Sequence, residues 1–291
     1  MAPELEIDAL PQLREPTLIV ALSGWVDAGL AGIGTVAVLR DHLAAARRFG
    51  RMDLSEVMDL QQTRPSVHLD MGVQRRIEWP QLEFEAGNVG PDVVLCSGPE
   101  PSLRWRAVLG EVVDLAQRLG VRRAFTLGGI PAMASHRRPV EVLTTATSEE
   151  LAEATGAWRQ DYEGPTGAQS VLQVLLGEAG IDTVGLWAQV PHYLSASASP
   201  PAIRSLLVRL RELADLTVDL TELEEQAVTY IQRVEQGLAE RPDVVDVIRA
   251  IEDADDADIS GFGGDDGELP AEDLPSGDEL ASEIERFLRG Q

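Results

Sequence analysis

The sequence predicts an α/β fold with three layers, in which helices cover both faces of a mostly parallel central sheet. Through the first 250 residues, short apolar runs alternate with helical patterns. The runs are apolar at nearly every position, as in strands that are buried on both faces of a sheet. From Pro200 onward the apolar residues recur only at helical spacing, which predicts an additional C-terminal helical region.

Each element of this fold has its own sequence pattern. The predicted strands are residues 17–22, 93–96, 124–127, 141–145 and 184–189. Helices are predicted at residues 28–43 and 102–119, after a capping box at 147–150, and after the YEGPTG turn at 162–167. A hairpin with a three-residue loop, Asp70-Met71-Gly72, is predicted within residues 66–79.

These elements divide the chain into four parts. Residues 1–200 are the predicted α/β core, with a β-hairpin excursion near 64–86, and residues 201–252 are the helical region. Residues 253–277 are rich in acids, Gly and Pro with little to bury, so we expect a disordered linker. Residues 278–291 are expected to form a short amphipathic helix, whose apolar face is made by Leu280, Ile284, Phe287 and Leu288.

The charge balance excludes several classes of function. The chain carries 24 basic and 49 acidic residues, a net charge of −25, so we expect neither nucleic acid nor a membrane surface as a partner. All 24 basic residues are arginine, which excludes a Schiff-base lysine, a pyridoxal phosphate anchor and a P-loop lysine. No apolar stretch reaches the roughly 18–20 residues of a membrane span. The N-terminus lacks the basic region of a secretory signal, so we expect a cytoplasmic protein.

The sequence predicts no disulfide, metal site or cofactor. Cys96 is the single cysteine and ends a predicted buried strand, as a packing residue does. The four histidines are too widely spaced for a metal signature. Residues 24–34 (GWVDAGLAGIG) lack the GK[ST] of a P-loop, and their Gly-Ile-Gly lies inside a predicted helix rather than in a turn. We therefore expect no bound nucleotide.

Polar and aromatic residues are concentrated in the loops that follow the predicted strands. In open α/β sheets, ligands bind beyond the carboxyl ends of the strands, so these loops are the candidate site. The candidate acids and bases are Glu163, Glu100, Asp27, His136 and His192. The candidate binding residues are Trp25, Arg104, Arg138, Tyr162, Thr166 and Tyr193.

Most of these candidates also have a structural interpretation. Asp27 precedes Ala28-Gly29 and suits a helix N-cap. Glu100 lies between two prolines, near Arg104, and suits an ion pair as well as a catalytic role. His192, between a proline and a tyrosine, suits a hydrogen-bonded structural histidine equally well.

The YEGPTG turn raises the same choice between a helix start and an anion site. Thr166 and Gln169 are three residues apart before an apolar helix pattern, so we predict that Thr166 is the N-cap of a capping box. The free N–H groups of a helix start could also hold an anion. Glu163 is the residue of this turn that packing does not explain.

Five of these loops, in this order, resemble those of the proteasome-assembly-chaperone-2 family, in its bacterial and archaeal branch. The matching segments, between residues 17 and 193, are ALSGWVDAG, SGPEPSLRW, LGGIP followed by HRRP, YEGPTG, and LWAQVPHY. The resemblance implies a phosphorylase/hydrolase-like α/β fold that forms homo-oligomers, trimers among them. It also implies a chaperone-like role with proteasome subunits as partners, and no established reaction.

Two functional hypotheses follow. The first is an interaction protein that assists the assembly of a protein complex. The second is a small-molecule hydrolase or phosphorylase-type enzyme, in which His136, Arg138 and Arg104 bind an anionic group and the carboxylates act as acid or base. One water-accessible pocket lined by these residues would favour the enzyme. Helix caps and buried networks in their place would argue against it.

Overall fold

The computed structural model describes residues 5–157, 162–239 and 245–253 of the chain. The strands are β1 (Leu5–Ile7), β2 (Thr17–Ser23), β3 (Ala44–Asp53), β4 (Ser66–Asp70), β5 (Val73–Glu78), β6 (Gln81–Asn88), β7 (Asp92–Pro99), β8 (Arg123–Ala132), β9 (Val142–Ala146) and β10 (Asp182–Pro191). The helices are α1 (Ala31–His42), α2 (Trp105–Arg118), α3 (Glu149–Thr155), α4 (Ala168–Glu178), α5 (Pro200–Ala214) and α6 (Thr221–Leu238). Residues 245–253 are also helical.

The central sheet has the strand order β1-β3-β6-β7-β2-β8-β10-β9. Its middle four strands, β7, β2, β8 and β10, are parallel to one another. Antiparallel strands extend the sheet on both sides, so it is mixed with a parallel centre. Because β2 lies between two parallel neighbours and under helices on both faces, it is buried from Thr17 to Leu22. The predicted α/β class is confirmed.

Two apolar layers cover the two faces of this sheet. Successive residues of a strand point to opposite faces. In β2, Ile19 and Ala21 join the apolar cluster that contains residues of α1 and α5. Leu18 and Val20 join the second cluster, which contains residues of α2 and α4. The three-layer arrangement with helices on both faces is therefore confirmed.

The C-terminal helices pack against the loop that follows β10. Tyr193 and Leu194 from this loop form a third, smaller apolar cluster with Val234 and Leu238 of α6 and Ile248 of the last described helix. The helical region is thus attached to the end of the sheet where the parallel strands finish.

The β4–β5 hairpin forms a sheet of its own. Asp70 pairs directly with Val73, so the turn has two residues, Met71 and Gly72, rather than the predicted three. Both turn residues have positive φ, 47° and 80°, as a tight two-residue hairpin turn requires. The predicted loop length is therefore wrong by one residue.

The two C-terminal segments of the predicted organisation fall largely outside the described residues. Of the linker predicted at 253–277, only residue 253 is described, and the helix predicted at 278–291 lies wholly beyond it. Within the described ranges, every helix is too short or too polar to cross a membrane.

Candidate functional site

The carboxyl ends of the four parallel strands define the candidate site, which we call the strand-end edge. It comprises the loops that begin after residues 23, 99, 132 and 191. The loops are tied to one another by backbone contacts. The N–H of Glu100 donates to the carbonyl of Ser23 at 2.8 Å, and Asp27 forms an isolated parallel bridge with Gly129.

Glu100 caps a helix that follows a different loop. Its Oε1 accepts a hydrogen bond from the N–H of Ala168, the first residue of α4, at 2.6 Å, and its Oε2 lies 3.5 Å from the N–H nitrogen of Trp25. A carboxylate at this position meets the unpaired N–H groups and the positive end of the helix dipole. The N-cap residue is Gly167, and no side chain of the turn caps the helix. The predicted capping box at Thr166 is therefore wrong, because α4 begins one residue later than expected, with Gly167 at its N-cap.

The YEGPTG turn is the exposed part of the strand-end edge. Tyr162 is 69% exposed, and its hydroxyl donates to the carbonyl of Pro165 at 2.8 Å. Glu163 is exposed and makes no hydrogen bond or ion pair with any other described residue. Gly167 lies so close to Val26 that a Cβ on it would be 2.5 Å from the Val26 side chain. The glycine therefore serves the packing of two loops, whereas Tyr162 and Glu163 face solvent.

Asp27 is buried at the end of β2 and supports the start of α1. Its Oδ1 accepts a hydrogen bond from the N–H of Gly32 in the first turn of α1, at 2.7 Å. Asp27 therefore supports the start of α1, as a cap does, but the N-cap position of α1 is Leu30, because a 3-10 turn at Ala28–Leu30 separates Asp27 from the helix. The residue is 4% exposed, and its Oδ2 is buried without a hydrogen-bond partner among the described residues. Burial raises the pKa of Asp27 to about 7, although the amides of Gly32 and Ile33 oppose this rise. Near neutral pH both forms of this carboxyl group are therefore populated.

His136 belongs to a network that joins the loop after β8 to α6, in which the histidine is buried and Glu235 and Arg137 are partly exposed. Its Nδ1 lies 2.8 Å from the Tyr193 hydroxyl, and its Nε2 lies 3.1 Å from a carboxylate oxygen of Glu235. Arg137 donates to both oxygens of Glu235, at 2.6 and 3.1 Å. Burial lowers the pKa of His136, although the Glu235 carboxylate opposes this. The imidazole is therefore mainly neutral at pH 7.

Ser135 and Glu252 extend this network to the last described helix. The Ser135 hydroxyl donates to Glu252 at 2.6 Å, and an Nη of Arg137 lies 3.6 Å from the same carboxylate. Burial raises the pKa of Tyr193 to about 12, so its hydroxyl stays protonated. His192 meets Tyr193 edge-on, with ring centroids 5.4 Å apart, and burial lowers its pKa. Ser135, His136 and Arg137 are thus used by the protein's own helices, whereas the Nδ1 of His192 is buried without a hydrogen-bond partner among the described residues.

The structure separates the predicted site residues into two groups. Glu100 and Trp25 lie beside the YEGPTG turn at the start of α4, whereas His136 and His192 surround Tyr193 under α6. Among the described residues, no hydrogen bond or ion pair joins Glu100 to His136. Two candidate arginines belong to neither group. Arg104 is exposed at the start of α2, and Arg138 is half-buried and makes contacts of its own.

The two carboxylates that contact the second group could not be identified as site residues from the sequence. Glu235 and Glu252 lie on polar helix faces, where acidic residues are ordinary. A cleft of about 580 Å³ also lies beside α6. It is lined by residues 197, 198 and 200 and by polar side chains of α6, Glu222, Glu225 and Arg233 among them, and by none of the predicted site residues.

The described part of the chain contains neither a cluster of metal ligands nor a reactive thiol. Its histidine, cysteine, aspartate and glutamate side chains form no group of three or more that could hold a metal ion. Cys96 is fully buried, and burial raises the pKa of its thiol to about 12, so it behaves as a packing residue.

Comparison with known proteins shows which family this chain belongs to. Residues 21–238 match the PAC2 family, which is more than half of the chain. The chain belongs to the PAC2 family. This PAC2 protein is 37% identical to a PAC2 family protein from Streptomyces avermitilis, in an alignment that covers 80% of this chain and 99% of that one with a TM-score of 0.74.

Other solved structures have the same fold. A proteasome-assembly chaperone homologue from Mycobacterium tuberculosis is 33% identical, with 80% of this chain and 99% of that chain covered and a TM-score of 0.74. An archaeal proteasome activator from Pyrococcus furiosus is 21% identical, with 81% and 99% covered and a TM-score of 0.67, which shows the fold alone. No match to this PAC2 protein was found among curated proteins.

Proposed function

We propose that this PAC2 protein is an interaction protein that assists the assembly of a protein complex, in the manner of a proteasome-assembly chaperone. The observation that supports this proposal most directly is that the strand-end carboxylates and His136 are engaged in contacts within the fold. Asp27 and Glu100 cap helices, and His136 is held between Tyr193 and Glu235. Side chains held in such contacts stabilise the fold, and few acid or base groups of the edge are then free to act on a substrate.

The proposed partners are proteasome subunits, and the proposed working form is a homo-oligomer, with a trimer as the first expectation. The similarity to the Mycobacterium tuberculosis homologue supports the choice of partner. The net charge of −25 disfavours nucleic acid and anionic membranes as alternatives. A protein with these partners would work in the cytoplasm.

The proposal is tested with purified components. The full chain is mixed with separately purified proteasome α and β subunits from the same organism, and assembled particles are followed over time on native gels. We expect particles to appear several-fold faster, or in higher yield, than without the chain. An unrelated protein of similar size and acidity is the control for non-specific charge effects. Equal assembly with the chain and with this control would contradict the proposal.

A small-molecule hydrolase or phosphorylase-type enzyme is the second candidate. The buried Asp27, with one unpartnered oxygen and a pKa of about 7, favours it, because such a carboxyl can take up or release a proton near neutral pH. Its anion site would include Arg138 and Arg104. Saturable stabilisation of the chain by inorganic phosphate, lost in Arg138→Ala and Arg104→Ala, would favour this candidate. We expect no such stabilisation.

A further inference from the structure

The cleft beside α6 follows one face of that helix. Its lining residues on α6 are Glu222, Glu225, Gln226, Thr229, Tyr230 and Arg233. Residues three and four apart lie on one helix face, and the first and last of this set are about 16 Å apart along the axis. The second wall is the segment of Ser197, Ala198 and Pro200 that leads into α5. The cleft, of about 580 Å³, is therefore an elongated groove.

The two ends of this groove carry opposite charges. Glu222 and Glu225 line the end nearer the start of α6, and Arg233 lies eight residues beyond Glu225, about 12 Å along the axis. All three side chains are exposed. Glu222 accepts a hydrogen bond from Gln226 at 3.1 Å. Glu225 and Arg233 make no ion pair with any other described residue, so each offers its charge to a ligand.

The walls of the groove also hold hydrogen-bonding groups that the described part of the chain does not use. The hydroxyls of Ser197 and Tyr230 are buried without a hydrogen-bond partner among the described residues. The backbone N–H groups of Ser197 and Ala198 make no hydrogen bond with them either. Buried polar groups without partners are rare in folded proteins. The groove therefore suits a ligand that has polar groups along its length.

A short peptide with free ends has the chemistry that complements this groove. An extended chain rises about 3.3 Å per residue, so the ammonium and carboxylate groups of four residues are roughly 12 Å apart. Glu225 and Arg233 have about the same separation along α6. The amides between the two ends supply donors and acceptors to the walls. A nucleotide or another anionic ligand would instead place negative charge beside two glutamates.

We propose that the cleft beside α6 binds peptides of about three to five residues with free ends, in extended conformation. The ammonium group lies at Glu222 and Glu225, and the carboxylate lies at Arg233. Because charged ends and backbone amides are common to all peptides, the site accepts varied sequences. The proposal is independent of the assembly role, since no residue of the strand-end edge or of the β4–β5 hairpin takes part.

The first test measures binding of tetra-alanine to the full chain by isothermal titration calorimetry. The free peptide is compared with its N-acetylated and its C-amidated forms. We expect saturable binding of the free peptide, with one site per chain. Each blocked end should weaken binding by about two- to fivefold, the effect of one solvent-exposed ion pair. Equal binding of the free peptide and a doubly blocked peptide would overturn the proposal, as would no binding at all.

Charge variants then identify which end of the groove holds which end of the peptide. Arg233→Gln should bind the free and the C-amidated peptide equally and keep its preference for a free ammonium group. Glu222→Gln/Glu225→Gln should show the reverse. Arg118→Gln and Glu178→Gln, at exposed residues of α2 and α4, are the matched controls and should keep both preferences. Unchanged preferences in the groove variants would contradict the proposed orientation and site.

A steric test leaves the charges in place. Thr229 and Val228 are both exposed on α6, but only Thr229 lines the groove. Thr229→Trp should therefore lose most of the binding of tetra-alanine, whereas Val228→Trp should bind it as the wild type does. Circular dichroism checks that both variants keep the helical content of the wild type. Equal affinity of the two variants would show that the peptide binds elsewhere.

Two further ligands separate peptides from related molecules. Alanine alone should bind at least about fivefold more weakly than tetra-alanine, because it cannot reach both ends of the groove. Equal affinity would indicate a site for single amino acids and would overturn the proposal. Lys-Ala-Ala-Glu with both ends blocked should bind more weakly than free tetra-alanine. Tighter binding of this blocked peptide would indicate an internal segment of a protein as the ligand, and free ends would then have no role.

Discussion

At the strand-end edge most polar side chains have partners within the chain, whereas on the β4–β5 hairpin several apolar side chains are left uncovered. At the edge, carboxylates from the loops cap helices, and His136 is bonded to both Tyr193 and Glu235. On the β4–β5 hairpin, the side chains of Val67 and Ile77 are about half exposed and face water. The first region resembles a protein interior, and the second resembles an interface without its partner.

This difference separates residues that look catalytic from residues that need a partner. Carboxylates and histidines at strand ends suggest chemistry, but here their oxygens and nitrogens are largely used within the fold. A half-exposed valine suggests nothing by itself, but a whole apolar face of them implies a covered surface. We therefore expect the polar residues of the edge to contribute to stability and the hairpin to be free for interaction, and the predictions below test that difference.

The largest loss of stability is expected for His136→Ala. The substitution removes a buried ring and its hydrogen bonds to Tyr193 and Glu235, although Glu235 keeps Arg137 and the Tyr193 hydroxyl keeps the backbone N–H of residue 136; the loss should be about 2–3 kcal/mol of unfolding free energy. Chemical denaturation measures the loss. His42→Ala, at an exposed histidine, is the control and should change stability by less than about 0.5 kcal/mol. Equal losses in both variants would contradict the structural role of the network.

A pH-dependent effect is expected for Asp27. Its pKa rises from 3.8 to about 7 on folding, so the folded state holds the proton more tightly than the unfolded chain. The contribution to stability is thus complete at acid pH and is lost as the pH rises from about 4 through about 7. Asp27→Asn cannot ionise, so it should gain stability relative to the wild type over this range, by roughly 1.4 kcal/mol per pH unit.

The control for this effect is Asp41→Asn, which neutralises an exposed aspartate of α1. Denaturation of the three proteins at several pH values gives the comparison. A constant difference between Asp27→Asn and the wild type across the range would mean that Asp27 does not titrate in the folded protein near neutral pH.

A smaller effect is expected for Glu100→Ala. It removes the acceptor for the Ala168 N–H and the negative charge at the start of α4, which should cost about 1–2 kcal/mol. Glu163→Ala, at the exposed carboxylate of the YEGPTG turn, is the matched control and should be neutral within about 0.5 kcal/mol. Thermal unfolding distinguishes the two. A destabilised Glu163→Ala with an unaffected Glu100→Ala would reverse the roles assigned to these residues.

The parallel centre of the fold could be predicted because its signals are local. The apolar run from Thr17 to Leu22 is buried on both faces, and helix α2 has the expected amphipathic pattern. The antiparallel strands β3 and β6 were not predicted: the first half of β3 is exposed, and β6 alternates half-buried polar residues with buried ones, so neither forms a continuous apolar run. The hairpin was predicted, but its turn is one residue shorter than expected.

The candidate site could be predicted only in part, because its decisive contacts are long-range. Asp27 supports the start of a nearby helix, and its sequence context indicated this. Glu100 and Ala168 are 68 residues apart, and His136 and Glu235 are 99 apart. No local pattern could show that Glu100 would accept the first N–H of α4, or that an ordinary glutamate of α6 would hold a loop histidine.

The most direct test of this assignment is the assembly assay, with purified proteasome α and β subunits and three forms of the full chain. These are the wild type, Glu163→Gln at the exposed part of the strand-end edge, and Val67→Thr/Ile77→Thr at the paired apolar residues of the β4–β5 hairpin. We expect the wild type and Glu163→Gln to speed assembly equally and the hairpin variant to lose most of the effect. Loss of assistance in Glu163→Gln with full activity of the hairpin variant, or no assistance by the wild type, would contradict our account.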